Sequence, residues 1–145
     1  MSDFSENMSY VSEAVIDQSL VKAYAELLGD KNPLHLDSAF AATTKFGKPI
    51  AHGGILFGLV SRILGMEFPG PGTVYLSQLM NFHKPVFIGE RLRFHLCITE
   101  LLPKDGASIR VKVTNTAGEL VADGEAKIKL PSWCLLRKKE ALGIA

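Results

Sequence analysis

A chain of 145 residues, 47% hydrophobic and 21% charged, is long enough for one domain with a core of its own. Its 16 Lys and Arg against 15 Asp and Glu leave a net charge of +1, which gives neither a nucleic acid nor a membrane surface an electrostatic hold. A membrane-spanning helix needs about 20 apolar residues in a row, and no such run occurs, so no nucleic-acid or membrane partner is expected.

Met1 to Ser9 is polar and reads as a flexible N-terminal arm. Asp3, Glu6 and Glu13 interrupt the stretch from Met1 to Val15, so no secretory signal is expected there. Tyr10 to Ile16 reads as a strand. Asp17 can N-cap a helix from Gln18 to Leu28, where Leu20, Val21, Tyr24, Leu27 and Leu28 recur at helical spacing and Gly29 closes the end.

The segment Gly29-Asp30-Lys31-Asn32-Pro33-Leu34-His35 follows directly. Pro33 lacks an N–H and pushes Asn32 toward extended geometry, so a bent loop, and not regular helix, is expected to present Asp30 and His35. A carboxylate and an imidazole sharing one water form a general acid–base device, because both can be tuned to exchange protons near neutral pH. Asp30 and His35 are thus the candidate catalytic pair, with Asn32 bracing the loop; the alternatives are that Asp30 is a helix-end turn residue and His35 a packed loop histidine.

Asp37 can cap a short helix from Ser38 to Thr44, and Phe46 to Pro49 is a turn. The run from Ile50 to Met66 is the core helix. From Gly53 onward only Ser61 and Arg62 are polar, so burial on every side is expected. Its glycines suit close approach by strands or a partner subunit. Gly53 offers a backbone N–H at the helix N-terminus, where unpaired donors and the dipole favour negative charge; the alternative is that it serves close packing alone. His52 is read as positioning backbone at the helix start.

After the break at Phe68 to Gly72, strands are expected over Thr73–Phe82, Arg91–Leu101, Ala107–Thr116 and Leu120–Leu130, separated by glycine- and proline-containing turns. Helices followed by antiparallel strands argue for an α+β domain, residues 10–131, whose sheet covers the core helix. Residues 132–145 form a C-terminal tail with a short helix after Trp133 and a basic cluster at Arg137-Lys138-Lys139. Cys97 and Cys134 lack any ligand spacing, so a reducing cytoplasm is expected. Asp30, His35, His52 and His83 have no HxH or HxxxH spacing, and no metal is expected. Neither a dinucleotide fingerprint nor GxSxG occurs.

The segment Gly29 to His35 followed by Ala39, then Ile50-Ala51-His52-Gly53, then Tyr75 to Val86, resembles the MaoC-like, or (R)-specific enoyl-CoA hydratase, family over about Val15 to Pro131. The resemblance implies a hot-dog fold, with an antiparallel sheet wrapped around a long helix, and a homodimer acting on acyl-CoA or acyl carrier protein thioesters without a further cofactor. It implies syn addition of water to a trans-2-enoyl thioester by Asp30 and His35, giving the (R)-3-hydroxy product, with Gly53 stabilising the enolate oxygen. It also suggests that the Ser61 hydroxyl reaches Asp30. Leu28 and Gly54 depart from the family pattern, where a small or hydroxyl residue and a Met are frequent, so Gly54 bears on the floor of the acyl pocket. Two alternatives stand beside this reading: a 3-hydroxyacyl carrier-protein dehydratase, or a non-catalytic thioester-binding or dimerisation module. A carrier-protein preference would call for a basic docking patch, for which Lys45, Lys48 and Lys84 are candidates.

Overall fold

The computed structural model describes residues 4–134. Its sheet has five antiparallel strands: β1 (Ser9–Ile16), β2 (Val74–Phe82), β3 (Glu90–Leu102), β4 (Gly106–Asn115) and β5 (Leu120–Lys129), in the order β1-β3-β4-β5-β2. Two-residue alternation sets the faces. Leu92, Phe94, Leu96 and Ile98 of β3 and Ile109, Val111 and Val113 of β4 are buried, while Arg91, Arg93, Arg110 and Lys112 point outward. The expected strand limits fall within a residue of those observed.

Four helices lie between β1 and β2 in the chain: α1 (Gln18–Leu28), α2 (Pro33–Leu36), α3 (Ser38–Ala42) and α4 (Gly53–Met66). The Asp17 carboxylate caps α1 by accepting from the Leu20 N–H at 2.8 Å, and Gly29 ends it at φ 75°, a left-handed conformation that favours glycine. Helix α4 buries Ile55, Leu56, Val60, Ile63 and Leu64 in the core that it shares with the sheet. This is the arrangement expected of the hot-dog fold.

Two expectations need correction. Helix α4 is not buried on every side: Gly58, Ser61, Arg62 and Met66 are exposed, since one sheet covers one flank of a helix and this flank has no cover within a single chain. Nor are the described residues of the N-terminal arm loose. Asn7 N–H donates to the Ile98 carbonyl at 2.8 Å, Ile98 N–H donates to Met8, and the Phe4 ring lies 5.7 Å from that of Phe68. Apolar Phe4 and Met8 anchor a segment whose composition reads as polar. At the other end, Ser132 to Cys134 are helical and Trp133 Nε1 donates to Pro71. The rest of the tail, including the basic cluster, lies outside the described residues.

Candidate active site

The loop after α1 is less extended than expected. Pro33 begins a one-turn helix, α2, where its missing N–H costs nothing, and the Asn32 side chain caps that turn by accepting from Leu34 N–H at 3.1 Å. Asn32 therefore braces the loop in a definable way, and its own N–H donates to the Asp30 carboxylate at 3.3 Å. His35 is carried by α2, one turn beyond the bend.

Two carbonyl bonds fix the imidazoles. A carbonyl oxygen can only accept, so the 2.7 Å contact between His35 Nδ1 and Ile50 places the proton on Nδ1 and leaves Nε2 with its lone pair when the ring is neutral. By the same argument His52 Nε2 donates to the Asp30 backbone carbonyl at 2.9 Å. His52 is 2% exposed, and its Nδ1 is buried without a partner. It does position backbone, by tying the bend at Asp30 to the start of α4. The two rings lie against each other with centroids 3.8 Å apart and planes tilted by 32°, and the Tyr24 ring lies 4.7 Å from that of His52.

One carboxylate oxygen of Asp30 and one ring nitrogen each of His35 and His52 lie within 4.8 Å of one another. A water about 2.8 Å from two such atoms, at a tetrahedral angle, spans roughly 4.6 Å. The 4.8 Å limit on the Asp30 and His35 atoms is of the order that one shared water spans. Three such groups could also hold a metal ion, but one nitrogen of each imidazole is already committed to a backbone carbonyl, which leaves each ring a single free donor.

His35, His52 and Gly53 line a cleft of about 390 Å³. Its floor is buried (Ala51, Leu56 and Val86) and its mouth is exposed (Lys45, His83 and Lys84). At the mouth, His83 holds the Asp123 carboxyl below its usual range through a 2.9 Å contact, and Lys84 does the same to Glu119. Gly53 is the first residue of α4, and a Cβ on it would stand 3.0 Å from the Phe82 ring. Gly53 thus packs closely against Phe82, and among the described residues its helix-terminal N–H has no backbone acceptor. A Cβ on Gly54 would stand 1.9 Å from the Tyr24 hydroxyl, so Tyr24 occupies the space that a larger residue would claim.

Ser61 is not brought to the pair. It lies eight residues past Gly53, about 12 Å along the axis, on the exposed face of α4, and among the described residues no hydrogen bond joins it to Asp30. Sequence reasoning missed the Ile50 carbonyl, Phe82 and the site role of Tyr24. Only Tyr24 had a signal, namely the unusual Gly54 that makes room for it.

Residues 3–120 match the model of the MaoC like domain. The chain belongs to this family. Among MaoC-like relatives, a 3-hydroxybutyryl-CoA dehydratase of Methylorubrum extorquens is 40% identical over 96% of this chain and 85% of its own length. An (R)-specific enoyl-CoA hydratase of Aeromonas caviae is 45% identical over 77% of this chain and 84% of its own. Among solved MaoC-like structures, an (R)-hydratase from A. caviae described as involved in PHA biosynthesis superposes with a TM-score of 0.85 at 37% identity, covering 90% of this chain and 100% of that one.

Proposed function

We propose that this MaoC-like chain is an (R)-specific enoyl-CoA hydratase, adding water reversibly to trans-2-enoyl thioesters. The observation that carries the proposal is the gathering of Asp30 and His35, with polar atoms no more than 4.8 Å apart, beside a cleft lined by His35 and the Gly53 helix terminus. In this mechanism the water held between them attacks Cβ, and its proton passes to the pair. The pair returns a proton to Cα on the same face, giving the (R)-3-hydroxyacyl thioester. The Gly53 N–H faces the thioester oxygen as charge builds there. The His35 tautomer supports Nε2 as the proton acceptor, although a coupled pair shares its protons. Only water and protons move, so the reaction calls for no redox cofactor.

The relatives favour a CoA thioester, while a mitochondrial 3-hydroxyacyl-[acyl-carrier-protein] dehydratase of Arabidopsis thaliana, 36% identical over 81% of this chain, keeps the carrier-bound alternative as the second reading. A homodimer is part of the proposal. Strand β2 is a sheet edge, and its Leu76 and Leu79, with Met66 of α4, are 60%, 63% and 69% exposed, a surface suited to a second copy. Leu79→Lys should shift the mass in solution from dimer to monomer. No helix of the described residues is long and apolar enough to cross a membrane, and a cytoplasmic location is proposed from the composition. The function is tested by following the enoyl absorbance of crotonyl-CoA and the chirality of the product. Loss of absorbance with an (R) product supports the proposal; persistence, or an (S) product, refutes it.

A further inference from the structure

His52 is the buried member of the site, yet a single hydrogen bond holds it. Its Nε2 donates to the Asp30 carbonyl at 2.9 Å, and its Nδ1 is buried without a partner. One such bond fixes a distance but not the tilt of a planar ring, so packing must supply the rest of the orientation. Two rings make that packing. His35 lies 3.8 Å and Tyr24 4.7 Å from His52, centroid to centroid, with planes tilted by 32° and 43°. Tyr24 belongs to α1, between the buried Val21 and Ala25, and its ring packs against the core. Helix α1 therefore reaches His52 at two points: through the Tyr24 ring and through the Asp30 carbonyl just past its Gly29 cap. The Tyr24 ring is itself confined, because its hydroxyl end abuts Gly54 in the first turn of α4, where a Cβ would overlap it.

We propose that Tyr24 is a positioning residue for the hydration: its ring fixes the tilt of His52 and, through His52, the placement of Asp30 and the His35 imidazole. This rests on the hydratase reading of the site. Reacting groups must be held within about 0.5 Å of their working geometry by side chains that are themselves locked. Tyr24 meets that condition, wedged between α1, the first turn of α4 and His52. Its hydroxyl makes no hydrogen bond among the described residues, so the ring carries the role and the O–H is dispensable.

The test begins with Tyr24→Leu, which removes the ring and keeps an apolar side chain. Its kcat on crotonyl-CoA should fall about tenfold or more with KM little changed, because Tyr24 does not line the cleft. Tyr24→Phe, which keeps the ring, should retain the wild-type kcat. In a chain already carrying His52→Phe, Tyr24→Leu should cost little more, since a residue acting through His52 loses its lever once His52 is replaced. An equal cost in both backgrounds overturns the proposal, as does a loss in Tyr24→Phe that matches Tyr24→Leu. Imidazole 15N spectra read His52 without turnover: wild type and Tyr24→Phe should hold it as the Nε2–H tautomer, and Tyr24→Leu should show a mixture of the two. A single unchanged tautomer in Tyr24→Leu overturns the proposal. Should Tyr24→Leu fail to fold, Tyr24→Met takes its place in each comparison. If wild type leaves crotonyl-CoA untouched, the hydratase reading fails, and the 15N spectra still decide whether Tyr24 holds His52.

Discussion

The imidazole of His35 packs against that of His52 with centroids 3.8 Å apart, and each ring commits one nitrogen to a backbone carbonyl, Ile50 for the first and Asp30 for the second. His52 thereby acts on Asp30 through the backbone and on His35 through its ring face. Replacing it with Phe keeps a ring but removes the bond to Asp30. The expected result is a fall in kcat of up to about a hundredfold, since small displacements of a reacting group cost that much, with a smaller change in KM. Steady-state kinetics on crotonyl-CoA would check it.

Tyr24 and Gly54 are complementary in volume. A Cβ at Gly54 would overlap the Tyr24 hydroxyl, so Gly54→Ala should destabilise the fold by about 1–3 kcal/mol, the usual range for overpacking. Tyr24→Leu in the same chain should recover part of that loss. Denaturant unfolding of the two single variants and the double variant measures the coupling; simple additivity would mean that the ring does not hold this space.

Gly53→Ala retains the backbone N–H but drives a methyl toward Phe82. We expect kcat/KM to fall about tenfold or more as the ring shifts into the cleft, and Phe82→Leu in the same chain to restore much of it. Recovery would separate the packing role of Gly53 from its donor role, because the N–H is present in all three proteins.

Leu92 to Ile98 and Ile109 to Val113 alternate so cleanly that the sheet faces could be read from the sequence, and Asp17 and Gly29 marked both ends of α1. Asp30 and His35 were singled out by their spacing around Asn32 and Pro33 in the family motif, and their polar atoms lie within 4.8 Å of one another. What was not legible depended on contacts remote in sequence. Nothing local to Ile50 says that its carbonyl will meet His35, fifteen positions away. The exposed flank of α4 was misread because uniform apolarity says that a helix will be covered, but not by which chain. Ser61 was assigned to Asp30 by family resemblance, and helix rise alone puts it out of reach within its own subunit.

Acid should weaken the fold in a defined direction. The Leu20 N–H lowers Asp17, and the Arg93 guanidinium lowers Glu13. A carboxyl depressed in the folded state binds more protons when unfolded. Its contribution is therefore full at neutral pH, begins to fade near the ordinary values of 3.8 and 4.5, and disappears below them. Melting temperature should fall as pH drops through that window. Asp17→Asn, which keeps a cap without a charge, should show a shallower fall.

The hydration of crotonyl-CoA by Asp30→Asn and His35→Phe, each checked for a native circular dichroism spectrum, bears most directly on the acid–base pair. Each variant should lose about a thousandfold in kcat, within the usual range for a general acid–base group, while the enoyl absorbance fades promptly with wild type. A folded variant of either residue that hydrates crotonyl-CoA at the wild-type rate would contradict the assignment of the shared water to these two side chains.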